Sequence, residues 1–303
     1  MKPQVSVIIP NYNHARYLRE RIESVLRQDY DDYEVIILDD ASTDGSRDII
    51  REYEGHPRVS HVVANEQNSG TPFLQWDKGI SLAQGEFVWI AESDDVADTQ
   101  LLSTVVRELA KRSDAVVGFV HSRLIDEDGR LMQRVWHKTN SDSVLTYDGR
   151  TFVMQKMLTS NYIYNASMAV FRKSAYAAVS RHYKDYNFCG DWAFWMDIAL
   201  KGSVVEVCRV LNSYRLHSRQ TTEQSLKYGG KWLETGEILK TAADMLGLSS
   251  MQRKCLRGRY TKHFRHIDIP NRSEVLKVHG DIFGGSWIDI CSYETGKLFH
   301  FLR

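Results

Sequence analysis

The first hundred residues alternate between short β-branched runs and stretches with helical spacing. Residues 5–9, bounded by Pro3 and Pro10, are typical of a strand buried on both faces. Apolar residues at helical spacing follow at 18–26. Further strands are predicted at 33–38, 59–63 and 86–91, and further helices around 49–50 and at 74–83. This order predicts an α/β fold with a doubly wound, mostly parallel central sheet.

The pattern changes after a predicted helix at 101–109. Mixed strands are predicted at 115–120 and 167–171, a turn at 126–129, a helix at 192–200 and short strands at 204–207 and 210–214. Past about residue 222 the sequence indicates helices only, with Gly229-Gly230 as a hinge. We therefore predict a catalytic domain at 1–222 and a helical C-terminal extension at 223–303.

Composition excludes several classes of partner. Lys and Arg total 39 and Asp and Glu total 39, so no net charge recruits nucleic acid. The four cysteines are far apart and form no Cys-x-x-Cys pair, which argues against a disulfide framework and favours a reducing cytoplasm. No apolar run is long enough for a signal peptide or a spanning helix. We expect a cytoplasmic protein that is soluble or peripheral at the inner face of the cell membrane.

Acidic side chains follow two of the predicted strands. Asp39 and Asp40 follow the strand at 33–38, and Glu92, Asp94 and Asp95 follow the strand at 86–91. Ligands bind at the carboxyl ends of strands in such sheets, so both clusters are expected to share one crevice. Carboxylates there could bind Mg²⁺ or Mn²⁺. The other interpretation is a solvated acidic turn that caps the next helix at Asp98.

Three more side chains could take part in chemistry. Asp40 could accept hydrogen bonds from a nucleobase, while its neighbours Ser42 and Asp44 are typical of a helix cap. Asp191, in the aromatic segment 188–195, could have a raised pKa and accept a proton, or could be a helix N-cap. His217 could bind metal or phosphate, or be an ordinary surface histidine.

Ordered motifs make the pattern specific. They are VSVIIPNYN at 5–13, LDDASTDG at 38–45, NSG at 68–70, KGI at 78–80 and AQGE at 83–86. Together they resemble the family 2 glycosyltransferases, inverting enzymes with the GT-A fold, over roughly the first two-thirds of the chain. The resemblance implies a nucleotide-diphospho-sugar transferase-like domain that carries the helical extension.

The resemblance also implies roles for individual residues. Asp40 would lie at the base, and Glu92-Ser93-Asp94 would occupy the Asp-x-Asp position. Asp94 would bind the metal, Mn²⁺ or Mg²⁺, with Asp95 as a further candidate, and Glu92 and Ser93 would face the donor. Asp191 would be the general base. Two late residues complete the set: His217 would reach the metal or diphosphate, and Arg215 would contact the donor.

Three positions depart from the family pattern. Glu92 replaces the first aspartate, Gly190 replaces a glutamate that contacts the acceptor, and Gln75-Trp76-Asp77-Lys78 replaces an Arg-Asn segment. Lys78 could supply the missing positive charge.

The expected function is metal-dependent, inverting transfer of a sugar from a nucleotide diphosphate to an acceptor hydroxyl. Pro10, Asn11 and Tyr12 would form the nucleotide loop, with Tyr12 stacked on a base; uracil or thymine fits, so UDP- or dTDP-sugars are favoured. The expected acceptor is a saccharide, lipid-linked in our best hypothesis, in cell-surface polysaccharide or O-antigen synthesis. No glycine follows the first strand, which disfavours nucleotidyltransferases and dinucleotide oxidoreductases. A catalytically silent sugar-binding module stays open.

The extension contains one basic amphipathic segment. Ser249 and Gln252 predict a capping box, followed by an apolar stripe at 251, 255, 256, 260 and 264. Six cations lie in the same segment: Arg253, Lys254, Arg257, Arg259, Lys262 and Arg265. The stripe could pack on the catalytic domain. Alternatively, the helix could contact an anionic membrane, helped by the aromatic residues Phe283, Trp287, Phe299 and Phe301.

Overall fold

The computed structural model describes residues 2–137, 140–217 and 230–298. The strands are β1 Val5–Asn11, β2 Tyr33–Asp39, β3 Val59–Ala64, β4 Phe87–Ile90, β5 Val96–Ala97, β6 Ala115–Ile125, β7 Leu131–Val135, β8 Val144–Asp148, β9 Ala169–Arg172 and β10 Ser203–Arg215. The helices of the first part are α1 Ala15–Leu26, α2 Ser46–Arg51, α3 Pro72–Leu82, α4 Leu101–Ala110, α5 Gly149–Phe152, α6 Lys173–Tyr176 and α7 Gly190–Ala199. The extension adds α8 Gly230–Met245, α9 Ser250–Arg265, α10 Arg272–Phe283 and α11 Trp287–Leu298.

One sheet organises the catalytic domain, in the strand order β3-β2-β1-β4-β9-β6-β10-β5. β1 pairs in parallel with both β2 and β4, and β6 pairs in parallel with β10. Every residue of β1, β2 and β4 is buried, because helices cover both faces of this part of the sheet. The predicted doubly wound, mostly parallel sheet is confirmed, and β9 joins its two parallel parts by antiparallel pairing.

The prediction of two short strands at 204–207 and 210–214 is wrong. The structure has one strand, β10, whose pairing with β6 shifts register between Val207 and Val210 and again between Val210 and Asn212. Such a bulge adds residues to one strand without ending it. Arg209, which interrupts the apolar pattern, lies at this irregularity of the strand and not in a loop.

Capping of α2 also differs from the prediction. Ser42 does not cap this helix, since its N-cap is Gly45, which has a left-handed φ of 90°. Asp44 instead accepts hydrogen bonds from the backbone N–H of Ala15 at 2.8 Å and of Ser46 at 3.1 Å. This carboxylate therefore stabilises the starts of two helices, α1 and α2.

The extension packs as a small helical unit on the catalytic domain. Trp232 of α8 packs edge-on against both Phe264 of α9 and Phe283 of α10, with ring centroids 5.7 and 5.8 Å away. The predicted capping box of Ser249 and Gln252 is present at the start of α9. The predicted domain boundary at 222/223 and Gly229 of the predicted hinge lie outside the described residues.

The cations of α9 mostly bind groups of this chain. Arg257 pairs with Asp289 at 2.7 Å, Lys262 pairs with Glu294 at 2.7 Å, and Arg259 donates to the Thr159 carbonyl at 2.9 Å. The apolar residues at 255, 256, 260 and 264 are buried, which supports the packing interpretation for this stripe. Contact with a membrane stays a prediction, but Phe283 is buried and cannot take part in it, whereas Trp287 is exposed. Phe299 and Phe301 lie outside the described residues. Within the described ranges, none of the helices has the length and apolar composition needed to cross a bilayer.

Glu234 of α8 anchors the extension at the start of α7. Its carboxylate accepts hydrogen bonds from the backbone N–H groups of Asn187 at 2.7 Å, Phe188 at 2.9 Å and Cys189 at 2.7 Å. Free N–H groups and the helix dipole make a helix start a favourable place for an anion. The extension therefore fixes the first turn of the helix that carries Asp191.

We predict that Glu234→Ala lowers the free energy of unfolding by about 2 kcal/mol, because three backbone donors lose a charged acceptor. Urea denaturation followed by circular dichroism measures this change. Glu237→Ala, an exposed carboxylate on the same helix, is the matched control and should change stability by less than about 0.5 kcal/mol. Equal effects of the two substitutions would contradict the anchoring role.

Candidate active site

The acidic turn at 92–95 directly follows β4 at the carboxyl end of the sheet. Asp95 is only 1% exposed, so the interpretation of a solvated turn is wrong for this residue. Its carboxylate accepts hydrogen bonds from the Asn165 side chain at 2.7 Å and from the Arg215 backbone N–H at 2.9 Å. The turn is therefore a buried part of the fold, fixed by hydrogen bonds from other elements.

Arg21 lies beneath this turn and was not predicted. The side chain is fully buried, donates to the Glu92 carbonyl at 2.7 Å and to the Ser167 hydroxyl at 3.1 Å, and lies 3.8 Å from the Asp95 carboxylate. Burial holds the pKa of Arg21 below its usual range. A sequence signal existed, because Arg21 lies on the apolar face of α1, three residues after Leu18. A cation there requires a buried anion nearby.

Arg215, at the end of β10, connects the acidic turn to its surroundings. It donates from Nε to the Asp94 carbonyl at 2.7 Å, from Nη1 to the Asp126 carbonyl at 3.2 Å and from Nη2 to the Glu20 carboxylate at 2.6 Å. The side chain is 2% exposed. These contacts position the turn, and the predicted direct contact of Arg215 with a donor stays a prediction.

The three carboxyl groups of the turn differ in pKa. Burial, together with the charge of Asp94, raises the pKa of Glu92 to about 8 and that of Asp95 to about 6. Burial also acts against ionisation of Asp94, but the hydrogen bond from His217 and the charges of His14 and His217 outweigh it and lower its pKa. Of the three carboxyl groups, Asp94 therefore ionises most readily, and Glu92 keeps its proton at neutral pH.

Asp94 and His217 lie together, as predicted for metal ligands. Asp94 Oδ2 is 3.0 Å from His217 Nε2. His14, at the start of α1, completes a group whose ligand atoms all lie within 4.8 Å of one another, and its Nδ1 is 2.8 Å from the Ser93 hydroxyl. A carboxylate with imidazoles suits Mn²⁺ better than Mg²⁺, which prefers oxygen ligands only. The residues fit a divalent cation, and His14 was not identified from the sequence.

A second group of metal-ligand type lies inside the domain, formed by His121, Glu206 and Cys208. The Glu206 carboxylate accepts hydrogen bonds from His121 at 2.9 Å, Tyr147 at 2.8 Å and Tyr162 at 3.0 Å. This buried network satisfies the carboxylate through side chains of the chain itself.

Asp40 follows β2 and is 3% exposed. Its carboxylate accepts hydrogen bonds from Asn65 at 2.6 Å, Asn68 at 3.1 Å, Ser69 at 2.7 Å and Gln75 at 2.9 Å. Asp40 therefore organises the wall of the crevice formed by 65–75, and its predicted contact with a nucleobase stays a prediction.

Residues 75–78, which replace the Arg-Asn segment of the family pattern, form hydrogen bonds with both acidic clusters. Gln75 donates to Asp40, and Trp76 donates from Nε1 to the Glu92 carboxylate at 2.8 Å. Lys78 donates to the Asn65 side chain at 2.5 Å. Glu92, the residue that departs from the Asp-x-Asp pattern, thus has the indole N–H of Trp76 as its partner.

The predicted nucleotide loop lies at the end of β1. Pro10 pairs with Leu38 of β2, and Asn11, 2% exposed, donates to the Asp39 carboxylate at 3.0 Å. Tyr12 is 47% exposed, so its ring is accessible for stacking. Ser93 is buried within the turn.

Asp191 lies in the first turn of α7, where Cys189 is the N-cap. The prediction that Asp191 could be the N-cap itself is therefore wrong. Burial raises the pKa of its carboxyl to about 7, and hydrogen bonds from the Trp192 N–H and the Asn161 side chain partly oppose this shift. A pKa near neutrality suits a general base. Asp191 lines a cavity of about 670 Å³ between the catalytic domain and the extension.

Close packing around position 190 explains why this chain has a glycine there. A Cβ atom at this position would lie 2.3 Å from the Tyr183 carbonyl oxygen and 2.5 Å from the Phe73 ring. The glutamate of the family pattern therefore does not fit this backbone. Acceptor contacts in this chain must come from other residues.

A short segment joins the two halves of the site. Asn161 donates to Asp191 at 2.7 Å, and four residues later Asn165 donates to Asp95 at 2.7 Å. Four residues span at most about 14 Å even when fully extended. One short segment therefore holds Asp191 near the acidic turn, and neither asparagine was identified from the sequence.

Comparison with known proteins agrees with this geometry. The sequence model of glycosyl transferase family 2 matches residues 6–179. A protein of Bacillus subtilis (strain 168), named provisionally as the teichuronic acid biosynthesis glycosyltransferase TuaG, is 39% identical over 147 residues. That alignment covers 48% of this chain and 56% of the relative, so the chain spans about half the length of this relative.

Two solved structures share the fold. Residues 1–349 of S. aureus TarS, solved in complex with UDP-GlcNAc, match with a TM-score of 0.65 and 19% identity, covering 100% of this chain and 82% of that one. The mannosyltransferase PcManGT from Pyrobaculum calidifontis, solved with GDP-Man and Mn²⁺, matches with a TM-score of 0.53 and 16% identity at the same two coverages. At these identities the likeness shows the GT-A fold alone. Because the family model matches more than half of the sequence, the chain belongs to glycosyltransferase family 2.

Proposed function

We propose that the protein transfers a sugar from a nucleotide diphosphate donor to a saccharide hydroxyl, with inversion at the anomeric carbon and dependence on a divalent cation. One observation carries the proposal: the Asn161 to Asn165 segment holds a carboxylate with a near-neutral pKa, Asp191, near the turn that carries Asp94, and Asp94 pairs with His217. In such a reaction a base accepts the proton of the acceptor hydroxyl, and a cation assists the departure of the diphosphate.

The donor half of the proposal uses the loop after β1 and the acidic turn. Asn11 and Tyr12 lie beside the wall held by Asp40, where a uracil or thymine ring could stack on the exposed Tyr12. Asp94 and His217 would hold Mn²⁺ or Mg²⁺, with His14 adjacent. When bound, the cation supplies positive charge for the departing diphosphate.

The acceptor half uses Asp191. Its carboxylate takes the proton of the acceptor hydroxyl, whose oxygen forms the new bond to the sugar as the bond to the diphosphate breaks. Attack from the face opposite the leaving group inverts the anomeric configuration. The raised pKa of Asp191 supports an enzyme over a silent sugar-binding module, because strongly shifted pKa values cluster at catalytic sites.

We also propose a role in cell-surface polysaccharide synthesis, supported by the name of the Bacillus subtilis relative. A lipid-linked acceptor and contact of the extension with an anionic membrane extend this proposal. The pairing of Arg257 and Lys262 with carboxylates of the chain reduces the charge available for such contact.

The first prediction concerns the proposed metal site. Asp94→Ala should abolish Mn²⁺-dependent binding of UDP, because the ionised carboxylate of the site is removed, while the circular dichroism spectrum is unchanged. Isothermal titration calorimetry with and without Mn²⁺ measures this. Glu54→Ala removes an exposed carboxylate beyond α2 and should leave the affinity unchanged. Metal-dependent affinity that survives Asp94→Ala would remove Asp94 from the site.

The second prediction separates proton transfer from donor binding. Asp191→Asn should retain donor affinity and lower the rate of sugar transfer by at least ~10²-fold, the usual contribution of a general base. Asparagine keeps the volume and a hydrogen-bonding side chain. Near-normal turnover in this variant would place the base elsewhere.

A third prediction follows from the pKa of about 7 at Asp191. The folded protein keeps a proton that the unfolded chain releases near pH 4, so this group makes the wild type less stable as pH rises from about 4 to about 7. Asp191→Asn does not titrate. The stability of the variant relative to the wild type should therefore increase across this range and be constant above it. Urea denaturation at several pH values tests this, and a difference independent of pH would contradict the raised pKa.

A further inference from the structure

The cavity above Asp191 has one wall from the catalytic domain and one from the extension. Its volume of about 670 Å³ is in the range of small-molecule sites. Of the residues assigned above to donor, metal and base, Asp191 alone lines this cavity among the described residues. The cavity therefore lies on the acceptor side of the proposed base.

The wall from the extension is basic. Its cationic or titratable side chains are Lys231, Arg259, Lys262, His263 and His266. Asp191 is the only carboxylate among the described lining residues. Lys262 pairs with Glu294, whereas Lys231, Arg259 and His263 have no carboxylate within 4.0 Å in the described part of the chain. A protein with no net charge concentrates positive charge beside its proposed base.

These charges converge on one region of the cavity. Burial and then the charges of Arg259, Lys231 and His266 hold the pKa of His263 below its usual range. The charge of Lys231 also acts on Asp191, where it opposes the effect of burial on the pKa. Lys231 is therefore near both Asp191 and His263.

The wall from the catalytic domain is aromatic. Trp136 is 42% exposed, and its ring centroid lies 4.2 Å from that of Tyr164, which in turn lies 6.0 Å from Tyr214. All three line the cavity. Rigid aromatic surfaces bind the apolar faces of cyclic ligands. The polar edges of the ligand can then form hydrogen bonds with other residues of the site.

We propose that the acceptor is an anionic saccharide, with a sugar ring against the aromatic wall and a phosphate or carboxylate group held by Lys231, Arg259 and His263. The proposal rests on the proposed function, since it assigns this cavity to the acceptor of Asp191. Arginine and lysine favour phosphate and carboxylate groups through charge-assisted hydrogen bonds. The extension thus selects the substrate as well as supporting the fold.

The test measures binding of three probes to the full chain by tryptophan fluorescence and ligand-observed NMR. The probes are glycerol 1-phosphate, glucuronic acid and methyl glucoside. Glycerol 1-phosphate or glucuronic acid should bind at least ~10-fold more tightly than methyl glucoside, the scale of one hydrogen bond to a charged group, and the binding should weaken with salt. The tighter of the two anions identifies the group as phosphate or carboxylate.

Variants localise the site. Lys231→Gln, which removes a positive charge, and His263→Phe, which removes a hydrogen-bond donor, should each weaken binding of the anionic probe at least ~5-fold. Lys254→Gln, which removes an exposed cation of the same extension outside the cavity, is the matched control and should have no effect. Asp94→Ala should retain probe binding, since the cavity does not include the metal pair.

The outcomes separate the two proposals. If the wild-type protein binds the anionic probe but does not bind the nucleotide-sugar donor, the proposed function would be contradicted and the anion site would be kept. Equal affinity for methyl glucoside and the anions, or equal weakening by Lys254→Gln, would overturn the anion site. Probe binding that disappears in Asp94→Ala would show that the probe occupies the donor site, which would also overturn it.

Discussion

The active crevice depends on burying an acidic turn at the end of β4. Asp95 is almost inaccessible to solvent, and a carboxylate in such a place is costly unless cations and hydrogen-bond donors surround it. Arg21 from α1 and Arg215 from β10 supply these contacts. Because the turn and its two partners come from three distant parts of the chain, the acidic turn forms only when the sheet and its helices are assembled, and that assembly presents Asp94 at the surface of the crevice.

The proposed base is held by a different set of contacts. Asp191 stands at the start of α7, where Glu234 of the extension accepts three backbone hydrogen bonds just before it. Trp76 packs on Phe194 of this helix and donates to Glu92. The helix is thus linked both to the acidic turn and to the extension, so the geometry of the site and the shape of the acceptor cavity have a common support.

The spacing and type of residues close together in the sequence predicted the features that depend on neighbouring residues. The buried strands β1, β2 and β4, the position of the acidic residues after them and the capping box of α9 could all be read from spacing and residue type. The residues that were missed act through partners far away in the sequence: Arg21 contacts a residue 71 positions away, and Asn165 one 70 positions away. The split of β10 into two strands failed for a related reason, since a bulge is defined by the neighbouring strand.

The central claim is that a divalent cation, placed by Asp94 and His217, lies in the crevice that ends at Asp191. Anomalous scattering from crystals grown with Mn²⁺ and UDP tests it most directly. We expect a manganese peak bonded to the Asp94 carboxylate and His217 Nε2, with diphosphate oxygens as further ligands. A peak at His121, Glu206 and Cys208, or a diphosphate bound with no manganese at Asp94, would contradict it.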